Sequence, residues 1–198
     1  MKDIIEIARR AHAGQADKAG RDYFDAHLTP IAEAASVFGP DAEAAGWLHD
    51  VLEDTEVTTE QLAEFGVSPE VVSAVESVTL RPGEAYDGLI DRAAAQPLGR
   101  LVKLGDNAWN ITCNPGLAVK DSAKAESMMV KYRPARVRLL AAAELTESSP
   151  EVAAMQVILD RHLARLHGLA AVSSTPNPKA SRTHDPRYSG SERWDLRQ

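Results

Sequence analysis

Leu48-His49-Asp50-Val51-Leu52-Glu53-Asp54-Thr55 concentrates an imidazole and three carboxylates within six residues. On a helix, Asp50 meets Glu53 at i+3 and Asp54 at i+4, and His49 meets Glu53 at i+4. Leu48, Val51 and Leu52 then cover the opposite face. Stacked like charges destabilise a helix unless a cation neutralises them, and a divalent metal with a coordinated water would do so. A second cluster runs Lys103-Leu104-Gly105-Asp106-Asn107-Ala108-Trp109-Asn110, with Asp106 and Asn110 at i, i+4 on a helix whose other face is apolar. His27 follows a glycine-containing loop and completes a mixed set of His27, His49, Asp50 and Asp106. Two nitrogens and two oxygens suit manganese, iron, cobalt or zinc better than calcium or magnesium, which prefer all-oxygen shells. The set has no thiolate, so a structural zinc knot is not expected.

These residues need helices to position them. The 198-residue chain is rich in Ala, Leu and Val, with only 5% aromatic residues, and reads as all-α. The periodicity predicts a helix over 2–13, a loop over 12–22, and a second helix starting at Thr29-Pro30, with Thr29 as N-cap. A third helix is predicted over about 42–54, capped by Asp41 and ending in the acidic strip. Thr58 and Gln61 form a capping box for a short helix stopped at Gly66. Ser68-Pro69 begins the next, with Val71, Val72, Val75 and Val78 as its core stripe. Helices follow over 84–95 and about 98–111. A break is expected at Cys113-Asn114-Pro115-Gly116. A long segment over 118–147, interrupted near Pro134, and a last helix over 150–168 complete the body. Residues 173–198 read as a disordered tail, so the domain spans 1–170 with its core in 1–147.

Composition narrows the function. Net charge is −7, which argues against DNA or RNA as partner but not against a small phosphorylated nucleotide. The apolar runs are too short for a membrane span and the N-terminus lacks a signal peptide's apolar core, so a cytoplasmic protein with no membrane partner is expected. Cys113 is the single cysteine, which suits a reducing compartment and reads as a packing residue. Trp47, Trp109 and His12 read as core residues. His162, His167 and His184 read as surface or tail.

The segments Ala11 to His27, Leu48 to Thr55 and Val102 to Asn110 resemble three motifs of the HD-domain phosphohydrolases. More narrowly, they resemble the RelA/SpoT-type hydrolase domain in its small stand-alone form, typified by the metazoan SpoT homologues. The resemblance spans residues 1 to about 145. It implies an HD-domain helical bundle with a single metal site between helices, holding one manganese ion through His27, His49, Asp50 and Asp106. It implies hydrolysis of the 3′-pyrophosphate of ppGpp, or of the 2′-phosphate of NADPH as in metazoan members, without the family's synthetase domain. Glu53 and Asp54 match the Glu-Asp pair that acts on the attacking water. Lys18 matches the lysine of the loop motif and Asn110 the asparagine near the ribose; Tyr23, Lys103 and Asn107 are the further candidate substrate contacts. Asp17 replaces an arginine of the family pattern, Asp22 and Leu28 replace prolines, and Asn107 replaces a basic residue. A carboxylate at position 17 would repel phosphate. The alternative reading is a non-catalytic nucleotide-binding sensor on the same fold.

Overall fold

The computed structural model describes residues 1–17 and 19–173. Among them the chain is helical, and the only strand-like feature is an isolated bridge between Ala16 and Asp22. Ten α-helices follow one another: α1 Lys2–Ala11, α2 Thr29–Ala35, α3 Pro40–Leu48, α4 Val51–Asp54, α5 Thr59–Glu64, α6 Pro69–Val78, α7 Tyr86–Ala95, α8 Gly99–Lys120, α9 Ser122–Ala142 and α10 Pro150–Ser173. The all-α expectation is borne out. Lys18 and the segment 174–198, including His184 and nearly all of the expected tail, lie outside the described residues.

Several boundaries match their sequence signals. Thr58 accepts from the Gln61 N–H while the Gln61 side chain accepts from the Thr58 N–H, so the capping box is complete. Ser68 caps α6 by accepting from Val71 N–H, and Pro69 occupies its first turn. Gly66, with φ of +80°, ends the α5 segment in a conformation that side chains disfavour.

Other boundaries differ from the sequence signals. Thr29 is not an N-cap. Its backbone is helical and a π-turn over Phe24–Leu28 runs straight into α2; the Thr29 N–H and hydroxyl both return to the Phe24 carbonyl. Pro30 has no N–H to offer the Ala26 carbonyl four residues back, and the buried indole of Trp109 donates to that oxygen instead, at 3.2 Å. The helix expected over 42–54 starts at Pro40 behind Gly39, so Asp41 is a first-turn acid and not the cap. It then stops at Leu48 and resumes at Val51, leaving His49 and Asp50 in the joint. α8 passes through Pro115 to Lys120, and the break falls at Asp121, whose carboxylate accepts from Lys124 N–H and caps α9. A proline removes only one helical hydrogen bond; Asp121 supplies a positive stop signal. α9 likewise continues through Pro134.

The core has two apolar clusters. One lies beneath α1, α3, α5 and α6, with Phe24, Trp47, Leu48, Val51, Leu62 and Val75. The other joins α7, α8, α9 and α10 through Ile90, Leu104, Trp109, Leu139, Met155 and Leu159. α2 belongs to both, giving Ala32 to the first and Ile31 and Ala34 to the second. Each fully buried Leu or Ile contributes about 1.5–3 kcal/mol. α2 and α3 cross closely at Gly46, where an added Cβ would sit 2.8 Å from Ala32 Cα and 3.3 Å from Ala35 Cβ. His162 is buried on α10 and meets Glu33 of α2 at 2.8 Å, which corrects its assignment to the surface; His167 is exposed as expected. No helix among the described residues is long and apolar enough to cross a membrane.

Gly46→Ala forces backbone apart at the α2–α3 crossing. It is expected to destabilise the fold by about 1–3 kcal/mol in chemical denaturation.

Candidate functional site

The π-turn, the α3–α4 joint and the middle of α8 bring the chemistry-bearing residues together. The joint follows from the apolar pattern around it: Leu48 and Val51 are both fully buried, and turning the chain between them buries His49 and leaves Asp50 part-buried beside it. His49 Nδ1 donates to the Gly46 carbonyl at 2.8 Å, since a carbonyl can only accept, so the ring presents Nε2 inward. His27 is carried by the π-turn, a distortion often found at functional sites.

Three groups converge on one oxygen. Asp50 Oδ2 accepts from the Tyr23 hydroxyl at 2.5 Å and lies 3.1 Å from His27 Nε2 and 3.0 Å from His49 Nε2. Burial penalises the Asp50 charge, but the two imidazoles outweigh it and hold the carboxyl well below its usual range. Burial likewise pulls His49 down, and the Asp50 and Asp106 carboxylates more than compensate, raising it to about 9. Tyr23 is raised by burial and by Asp50, so it remains a hydroxyl donor.

Ligand-capable atoms of His27, His49 and Asp50 all lie within 4.8 Å of one another, the separation a single ion requires. His49 Nε2 is buried without a hydrogen-bond partner, because Asp50 is near but off the line such a bond needs. Together with the Nδ1–carbonyl bond, this is the usual arrangement of a metal-ligating histidine. These residues fit a divalent cation, and binding one would displace the His49 proton below about pH 9.

Asp106 stands beside this cluster and not within it. Lys103 Nζ holds one of its oxygens at 2.8 Å and Asn110 Nδ2 the other at 2.6 Å. Both imidazoles and Lys103 nonetheless lower Asp106 against its burial, so its charge faces the same centre. Lys103 is raised by Asp106 despite its own burial and stays cationic. The structure thus commits Lys103 to Asp106 ahead of any ligand. Asn107 also departs from expectation as a substrate contact. It is 1% exposed, and its amide donates to the Tyr132 carbonyl at 3.0 Å, tying α8 to α9.

Glu53 and Asp54 follow one turn after Asp50, with both backbone N–H groups on the Asp50 carbonyl. Glu53 Oε2 accepts from Leu80 N–H at 2.7 Å. Burial raises the Glu53 pKa; the Leu80 bond and Lys103 lower it, while Asp50 and Asp54 add to the rise. Asp54 Oδ2 accepts from Gln15 Nε2 at 3.3 Å. Asp17 does not stand as a bare charge: its carboxylate accepts from Ala19 N–H and Arg21 N–H and pairs with the Arg21 guanidinium at 2.6 Å. These partners outweigh its partial burial and lower its pKa. The repulsion expected of Asp17 is therefore offset within its own loop.

Sequence reading assigned His12 to helix packing and passed over Gln15. His12 is buried, stacks on Tyr23 with centroids 5.4 Å apart, and meets Gln15 Oε1 at 2.6 Å. Its signal in the sequence was only its three-residue spacing from Gln15.

The chain is similar to several known proteins. No family model matches the chain. It is 43% identical over 81 residues to a guanosine-3′,5′-bis(diphosphate) 3′-pyrophosphohydrolase of Spiroplasma citri, covering 40% of this chain and 10% of that protein. It is 35% identical over 122 residues to the protein of the same name from Aquifex aeolicus, covering 56% of this chain and 17% of that one. The chain therefore spans less than a fifth of these curated relatives. Among solved structures it resembles a metazoan ortholog of SpoT that hydrolyzes ppGpp and plays a role in starvation responses. The TM-score is 0.56 at 19% identity, over 85% of this chain and 95% of that one. The fold is the one seen in that ortholog, and the resemblance to the SpoT-type hydrolase domain read from the three motifs is borne out.

Removing either end of the central contact takes one candidate ligand from the cation-compatible cluster. His49→Ala and Asp50→Ala are each expected to weaken manganese binding about 100-fold or more in calorimetric titration, with the helical circular dichroism retained.

Proposed function

We propose that this chain is a divalent-metal-dependent phosphohydrolase of a small nucleotide, with a ppGpp-like guanosine 3′-pyrophosphate as its substrate. The observation that carries the reading is the convergence of His27, His49 and Tyr23 on Asp50, one turn from the Glu53–Asp54 pair. The naming of both curated relatives as 3′-pyrophosphohydrolases supports the choice of substrate.

His27, His49 and Asp50 would hold the ion, with adjacent Asp106 as the fourth candidate ligand. Manganese is the expected metal, iron, cobalt and zinc being compatible with the same donors. When bound, such an ion supplies Lewis-acid activation of water and positive charge for phosphoryl oxygens. The chain's own residues do the rest. Glu53, held by the Leu80 N–H, is the general base that takes the water's proton, and its raised pKa strengthens it as a base. Asp54 orients the water alongside it. Asn110, on the Asp106 side, and Lys18, which the sequence motif nominates, are the proposed nucleotide contacts. Tyr23, a candidate substrate contact by its sequence, holds Asp50 through its hydroxyl, and in this reading it would support the metal site through that carboxylate.

The test is incubation with manganese and a panel of ppGpp, pppGpp, NADPH and ordinary nucleoside phosphates, separating phosphate from pyrophosphate release. Pyrophosphate release from ppGpp, lost in His49→Ala and Asp50→Ala, is the expected result. Phosphate from NADPH alone would move the substrate, and tight nucleotide binding without turnover would make the chain a sensor. At saturating manganese, Glu53 must be ionised to act. Activity should therefore fall on acidification as the Glu53 carboxylate takes up a proton. Glu53→Gln should lower kcat about 10²–10⁴-fold and remove that limb of the profile.

A further inference from the structure

His12 and Gln15 connect to Asp54 in a chain whose polarity is forced. An ionised carboxylate only accepts, so Gln15 must turn its amide nitrogen to Asp54 Oδ2, at 3.3 Å. Its carbonyl oxygen then faces His12 Nδ1 at 2.6 Å and also only accepts. Nδ1 must therefore carry the ring proton, which leaves a lone pair on Nε2. That atom is the one found buried without a partner.

A buried acceptor without a donor is costly, and a leucine would fill the same volume without that cost. Helix packing therefore does not account for a histidine here, whereas a requirement for Nδ1–H does. The ring is further fixed by its stack on Tyr23, whose hydroxyl holds Asp50, and by the backbone bonds Gln15 N–H to His12 O and Tyr23 N–H to Gln15 O, both 3.0 Å. Burial lowers the His12 pKa, consistent with a neutral ring.

We propose that His12 and Gln15 are positioning residues for Asp54, occupying one carboxylate oxygen so that the other is left to orient the attacking water. This rests on the hydrolase reading above. The loop after α1 would then govern both halves of the site, Asp50 through Tyr23 and Asp54 through Gln15.

Two measurements on the full chain test it. In ¹⁵N spectra, His12 should be the Nδ1–H tautomer in the unmutated protein, and Gln15→Leu or Asp54→Ala should populate the other tautomer. In kinetics, Gln15→Leu and His12→Leu should each lower kcat about tenfold with KM and manganese affinity within about twofold, and His12→Asn, whose amide places N–H near the Nδ1 position, should restore most of it. An Nε2–H tautomer overturns the proposal, as does wild-type kcat in both leucine variants. An inactive wild type with the Nδ1–H tautomer supports the hydrogen-bond chain and overturns the hydrolase reading instead.

Discussion

A single oxygen, Asp50 Oδ2, is the point on which the site depends. A carboxylate with this little exposure is tolerated only if positive charge and donors surround it. Here a tyrosine hydroxyl and two imidazoles do so, Tyr23 and His27 from the π-turn segment and His49 from the joint that carries Asp50 itself. Each partner is itself fixed. His49 is pinned to the Gly46 carbonyl, His27 is carried by the π-turn, and Tyr23 lies between the rings of His12 and His27. Moving any of the three leaves a buried charge short of a partner.

The surrounding helices are arranged to keep those partners in register. Gly46 lets α3 approach α2 to backbone contact, which sets the distance from the joint to the π-turn. Trp109 secures the carbonyl that Pro30 leaves open, next to His27 and one turn beyond Asp106 on α8. Asn107 ties the same stretch of α8 to α9. One strip of α8 thus braces the site from Asp106 through Trp109 while supplying the charge of Asp106.

Much of this was legible in the sequence, because helices, caps and ligand types leave local signals. The capping box at Thr58, the Ser68-Pro69 start and the grouping of His27, His49 and Asp50 depend on residues a few positions apart or on chemistry that few patterns share. The interruption of the third helix was not legible. His49 and Asp50 fit a helical repeat as well as a joint, and what decides it is the burial of Leu48 and Val51 on either side. The continuation of α8 through Pro115 was equally hidden, since proline disfavours a helix without forbidding one. Asn107 looked like a free polar group because its partner, the Tyr132 carbonyl, is visible only in three dimensions. The pairs Lys103–Asp106 and Asp17–Arg21 are local, three and four residues apart, and it is the geometry of α8 and of the loop after α1 that selects them over exposure to ligand.

The tight α2–α3 crossing has a consequence for how an ion would be acquired. Its three nearest donors are set by buried contacts of the protein itself, from Gly46 against Ala32 to the indole beneath the π-turn. Little conformational freedom remains to be lost when the ion arrives. Its binding free energy would go into the coordination bonds and into expelling a proton, and not into assembling the polypeptide. The ion would be a guest in a finished building, unlike the metal of a zinc finger, which is one of its beams.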